Sequence, residues 1–219
     1  MGKVVLVHGA WHGAWCWDGV VAELRRLDVQ VTAVELPLTG LTADAVSARS
    51  AIDAAGPESV IVGHSYGGAV ISEAAAGMQS VARLVYLAAF LTEPDEDMVA
   101  LMSGSKLTRS LIVDGSVVSV DRAVAAEVFY GDSDPDTAAA MVARLRPMAI
   151  AAPASSTTEP AWRTIPSTYV ICTNDQALPV GSQRRMAARA DDVIEWPTDH
   201  SPFLTRPAAV AELIAQYVV

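Results

Sequence analysis

Ser59-Val60-Ile61-Val62 followed by Gly63-His64-Ser65-Tyr66-Gly67-Gly68 decides how the chain is read. The first four residues make a short apolar run suited to a buried strand, and Tyr66 to Met78 is a small-residue-rich stretch suited to a helix. Between them Gly63 to Gly67 matches G-x-S-x-G, a sharp strand-to-helix turn. Such a turn forces its central residue into a strained conformation and requires glycine two positions to either side, where a side chain would strike neighbouring backbone. Ser65 Oγ is thereby expected above the sheet, near the positive end of the following helix.

Outward from this turn the pattern alternates. Upstream, Lys3 to Val7 and Val29 to Leu36 read as strands, Asp18 to Leu27 as a helix, and Thr42 as the cap of a helix running to about Ala55. Downstream come a strand from Val81 to Phe90 and, later, Thr168 to Cys172 (strand), Gly181 to Ala190 (helix), Val193 to Trp196 (strand) and Ala208 to Tyr217 (helix). Runs of uninterrupted hydrophobicity fit strands covered on both faces, so an α/β fold with a mostly parallel sheet and helices on both sides is expected. From about Leu91 to Pro166 the alternation gives way to acidic, Met-containing and Ala-rich segments, a hairpin-like stretch at Asp114-Gly115 and a loop from Ala151 to Pro160. The organisation expected is a core of residues 1–90 and 167–219 with residues 91–166 as a helical cap insertion.

At 219 residues, 52% of them hydrophobic and 18% charged, the chain has material for one well-packed domain, which excludes a disordered protein. Its net charge of −10 repels phosphate backbones and anionic lipid surfaces, so neither nucleic acid nor membrane is an expected partner. The apolar run Val4 to Val7 is too short for a secretory signal, and the longest uncharged stretches, Val4 to Trp17 and Ser59 to Ser72, are 14 residues each, short of a bilayer span. A soluble, cytoplasmic protein is expected. Cys16 and Cys172 lack metal or disulfide spacing and read as buried thiols.

A serine hydroxyl is a weak nucleophile, so Ser65 needs a base and a group to orient it. His200, in the loop Thr198 to Phe203 after the last strand, is placed to lean over the carboxyl edge of the sheet. Asp175, directly after the Thr168 to Cys172 strand, supplies the acid and completes the chain order Ser, Asp, His. Asp199 is the poorer choice, because adjacent side chains diverge. His64 should point away from the serine and pack; His8 and His12 have metal-like spacing but lack a helix to present them, so no metal is expected. The oxyanion donors expected are the backbone amides of Tyr66 and of Ala10, the latter in the loop after the first strand. Asp132 to Asp136 opens like a calcium loop but has Thr137 and Ala143 where glycine and glutamate belong; Asp134 as a helix cap with Pro135 behind it explains the same residues.

The stretch Val5 to Trp17, the Gly63 to Gly68 turn and Asp199-His200 together resemble the α/β-hydrolase superfamily, in particular the compact esterase branch of plant methylesterases, hydroxynitrile lyases and bacterial carboxylesterases. The resemblance implies a catalytic triad of Ser65, Asp175 and His200, a cap over a mostly apolar pocket, and no metal or organic cofactor. Gly9, Trp11, Met98, Leu101, Met102, Phe129 and Trp162 are the candidates for contacting substrate. The cyanohydrin-cleaving members carry threonine at the place of Gly9 and lysine at that of Ser201, so the resemblance points to hydrolysis of a small to medium apolar carboxylic ester. A non-catalytic small-molecule receptor and an acyltransferase or polyketide-tailoring hydrolase remain the alternatives on this fold. The expected partner is the ester substrate, with a homodimer left open.

Overall fold

The computed structural model describes residues 2–149 and 159–218, so most of the expected loop Ala151 to Pro160 lies outside the described residues. In chain order the elements are β1 (Lys3–Val7), α1 (Asp18–Arg26), β2 (Gln30–Val34), α2 (Leu41–Ala55), β3 (Ser59–His64), α3 (Tyr66–Ala74) and β4 (Val81–Leu87). There follow α4 (Met98–Leu101), β5 (Leu111–Asp114), β6 (Val117–Val120), α5 (Arg122–Phe129), α6 (Pro135–Arg144) and β7 (Met148–Ala149). The chain closes with β8 (Ser167–Cys172), α7 (Val180–Ala187), β9 (Asp192–Trp196), α8 (Pro202–Thr205) and α9 (Pro207–Ala215).

Six strands form one parallel sheet in the order β2-β1-β3-β4-β8-β9. Because successive side chains of a strand point to opposite faces, each central strand feeds two cores. Val4 and Leu6 of β1, with Val60 and Val62 of β3, pack with Leu24 and Ile214 of α1 and α9. Val5 and Val7, with Ile61, pack instead with Ile52 and Val70 of α2 and α3 and with the segment over the sheet. The expected α/β architecture is therefore present, with all six strands parallel. No helix among the described residues is long and apolar enough to cross a membrane.

Some boundaries differ from expectation for local reasons. Gly40 rather than Thr42 precedes α2, with Thr42 already inside the helix. Helix α3 stops at Ala74, four residues before Met78, where Gly77 turns the chain at φ 74°. Strand β4 ends at Leu87 because Ala88 adopts φ 44°, incompatible with a continuing strand. The segment between β4 and β8 is not purely helical: β5, β6 and β7 form a three-stranded antiparallel sheet beside α5 and α6. Its strands have two to four residues, too short to announce themselves by periodicity. Asp134 Oδ1 accepts the Thr137 amide at 2.9 Å with Pro135 in the first turn of α6, so the acidic run is a helix start.

Candidate active site

The turn between β3 and α3 holds Ser65 at φ 51° and ψ −121°, the left-handed strain that the G-x-S-x-G pattern requires. A Cβ on Gly63 would lie 2.6 Å from the Gly67 carbonyl oxygen, and one on Gly67 would lie 2.5 Å from that of Val7. Only glycine lets β1, β3 and α3 approach this closely. Two backbone bonds brace the turn, from the amides of Gly68 and Phe90 to the Ser65 carbonyl.

His200 and Asp175 come together from loops after β9 and β8. The His200 Nδ1–H donates to Asp175 Oδ2 at 2.6 Å, and both side chains are buried. With Nδ1 committed, Nε2 is the ring nitrogen left to face a hydroxyl. Asp175 Oδ1 accepts the amides of Ala177 (2.7 Å) and Leu178 (2.9 Å). Its Oδ2 also accepts from Gln183 Nε2 at 2.8 Å, a partner on α7 that the sequence reading missed. Asp199 is indeed turned elsewhere: its oxygens accept the amides of Ser201 and Asp132, while the Asp199 amide donates to Asp132 Oδ2 at 2.7 Å. Burial raises the Asp199 carboxyl above its ordinary range. The reciprocal Asp132 and Asp199 bonds fasten the loop after α5 to the His200 loop, a link that no local sequence signal marks.

The remaining histidines are buried. His64 Nε2–H donates to the His200 carbonyl at 2.8 Å, and the two rings lie 4.6 Å apart. His8 Nδ1–H donates to the Gly9 carbonyl while Nε2 accepts the Leu36 amide at 3.0 Å. His12 Nδ1–H donates to the Ala10 carbonyl while Nε2 accepts from the Tyr130 hydroxyl, both at 2.8 Å. Burial lowers His8 to about 4 and His12 to about 3, so both are neutral packing groups. Cys16 and Cys172 are buried free thiols, pushed up by burial.

The expected oxyanion donors also have suitable surroundings. Among the described residues no acceptor takes the Ala10 amide, and Tyr66, first in α3, has an amide with no partner inside its helix. Trp11, directly after Ala10, sits at φ 62°, and Ala10 and Trp11 line the same cavity as Ser65 and Tyr66. The Tyr66 phenol donates to Asp44 Oδ2 at 2.7 Å, which pins its ring. Asp44 is raised by burial and is also held by the Leu38 amide.

Ser65 opens into a cavity of about 170 Å³ lined by Ala10, Trp11, Tyr66, Phe90 and otherwise by residues of the β4–β8 segment, among them Met98, Met102 and Met148. Among the described residues no charged side chain faces it. Of the candidates for substrate contact, Trp11, Met98 and Met102 line this cavity, whereas Gly9, Leu101, Phe129 and Trp162 do not. Leu101 faces the core beneath α4. Phe129 wedges between Trp11, His12 and His200, and the Trp162 indole donates to the Thr92 carbonyl. Gly9 serves by being small: a Cβ there would lie 2.9 Å from both His64 Nδ1 and Ser65 Cβ. Val99, Leu107, Leu111, Val113, Val118 and Met148, overlooked in the sequence, complete the wall, the last four from the small antiparallel sheet.

Comparison with known proteins agrees with this architecture. The chain is 28% identical to an α/β hydrolase, nvfD, of Aspergillus novofumigatus, over 96% of this chain and 94% of that one. It is 26% identical to methyl jasmonate esterase 1 of Vitis vinifera, over 97% of each. The structure of a pyrethroid hydrolase from Sphingobium faniae superposes with a TM-score of 0.84 at 25% identity, covering 99% of this chain and 96% of that one. Residues 4–213 match the alpha/beta hydrolase family, and the chain belongs to it.

Proposed function

We propose that this protein is a serine hydrolase that cleaves an apolar carboxylic ester through an acyl-enzyme. The observations that carry the reading are the buried 2.6 Å contact between His200 Nδ1 and Asp175 Oδ2 and, after β3, a strained serine that opens into an apolar cavity. Ester-hydrolysing relatives, named for methyl jasmonate and for pyrethroids, support the reaction class.

In this reading His200 Nε2 takes the Ser65 proton as Oγ attacks the ester carbonyl, and Asp175 orients the ring and stabilises the imidazolium. The Ala10 and Tyr66 amides hold the oxyanion; losing one such donor costs about 2.7–4 kcal/mol of barrier lowering. The alkoxide leaves with the proton from His200, and water activated by the same nitrogen releases the acid and frees Ser65. A cavity without charged groups favours an uncharged substrate part, and the three unbranched methionine side chains adapt to its shape.

The test is labelling with a fluorophosphonate and a p-nitrophenyl ester series, on wild type, Ser65→Ala and His200→Ala. A single adduct on Ser65, slowed in His200→Ala, with ester turnover lost in both variants, is the expected result. A folded wild type that neither labels nor turns over any ester would overturn the reading in favour of a binding protein.

A further inference from the structure

Gln183 is a buried polar residue of α7, a helix whose neighbouring Arg184 and Arg185 face outward. Its amide is fully engaged: Oε1 accepts the Cys172 amide at 3.0 Å, and Nε2 donates to the Leu178 carbonyl at 2.9 Å and to Asp175 Oδ2 at 2.8 Å. The opposite amide orientation is excluded, since it would set Oε1 against a carboxylate and a carbonyl and turn the NH₂ toward an N–H. Asp175 has no lysine or arginine partner among the described residues; three neutral donors and His200 share its two oxygens. The two backbone donors fix Oδ1. Gln183 alone joins His200 on Oδ2, the oxygen that must aim at the imidazole.

We propose that Gln183 is a positioning residue that holds Asp175 Oδ2 toward His200 Nδ1 and so sets the orientation of the general base. The proposal rests on the triad reading above. Three features favour it over a packing role. The contact is to the oxygen that His200 uses, not to the other. The amide ties the end of β8 (Cys172), the Asp175 turn (Leu178) and the carboxylate to one rigid helix. It also acts without adding charge, which matters where Tyr169 and Cys172 of β8 are kept neutral by burial and the carboxyls of Asp199 and Asp132 lie near Cys172. A cation at this place would compete with the imidazolium for Asp175.

Gln183→Met keeps the length but removes both donors; Gln183→Glu keeps the shape and exchanges the amide for a group that donates when protonated and repels Asp175 when ionised. For Gln183→Met the expected result is a kcat lower by roughly 10- to 100-fold with KM within about twofold, because α7 does not reach the cavity. For Gln183→Glu, the ratio of its kcat/KM to that of wild type falls as pH rises. A role in packing alone predicts a ratio independent of pH. Fluorophosphonate labelling of Ser65 is run alongside. If wild type labels rapidly and His200→Ala does not, but Gln183→Glu tracks wild type at every pH or Gln183→Met retains full kcat, the inference on Gln183 is overturned and the triad stands. If Gln183→Met does not fold, the pH ratio of the isosteric Gln183→Glu decides. If wild type itself does not label, the triad reading fails and the inference falls with it.

Discussion

The His64 Nε2 atom lies 2.8 Å from the carbonyl oxygen of His200, joining the residue before the candidate nucleophile to the backbone of the candidate base across 136 positions of sequence. A carbonyl only accepts, so Nε2 carries the hydrogen and Nδ1 is a bare nitrogen, buried and without a partner among the described residues. Burial, reinforced by the neighbouring His200, keeps His64 well below its ordinary range and therefore neutral.

This bond predicts that His64→Phe, which preserves a ring against Phe203 and His200, leaves the His200 carbonyl unsatisfied. Expected are a loss of about 1–3 kcal/mol in stability and a drop in kcat larger than any change in KM. Urea unfolding with steady-state kinetics checks both; a variant equal to wild type in each would show that the bond does not position the base.

The buried histidines predict a steep acid dependence of stability. In the unfolded chain they take up protons below about pH 6.5, whereas in the fold His8 resists to about 4 and His12 to about 3, and His64 is also held well below its ordinary range by burial and by its neighbours. Stability is thus full above pH 6.5 and is lost as pH falls from there toward 3, because the unfolded state binds more protons. The slope of unfolding free energy against pH near 5.5 should correspond to about two to three protons taken up on unfolding. A slope near zero would contradict neutral burial of these rings.

Gly9 predicts a steric defect of function. In Gly9→Ala the new Cβ meets His64 Nδ1 and Ser65 Cβ at 2.9 Å, so the serine must move by several tenths of an ångström. A kcat/KM lower by about 10²-fold is expected, with the cavity itself unchanged. A crystal structure of the variant, with kinetics on a short and a longer acyl ester, checks it: equal losses on both esters fit a displaced nucleophile, and a loss on the longer ester alone would point to the cavity.

The core was legible because its signals are local. Apolar runs at Val4 to Val7 and Ser59 to Val62 have no other stable place than a sheet covered on both sides, and the Gly63 to Gly67 spacing serves one kind of turn. Asp175 and His200 could be named because the carboxyl ends of parallel strands all open on one edge of the sheet, so chain order stands in for position. The pocket wall was read less well. Phe129 and Trp162 look in sequence like Met98 and Met102, but which face of a short helix or loop meets a cavity depends on the elements packed across it.

The sequence by itself thus determined the parallel α/β framework, the strained serine and the residues able to accompany it, since each follows from steric rules acting over a few consecutive residues. Only the tertiary structure decided the small antiparallel sheet that lines the Ser65 cavity, the joining of Asp132 to Asp199 and of His64 to His200, and the hold of Gln183 on Asp175. Those are contacts between polar groups distant in sequence, and their partners are chosen by the requirement that a group removed from water find a hydrogen bond wherever packing has placed it.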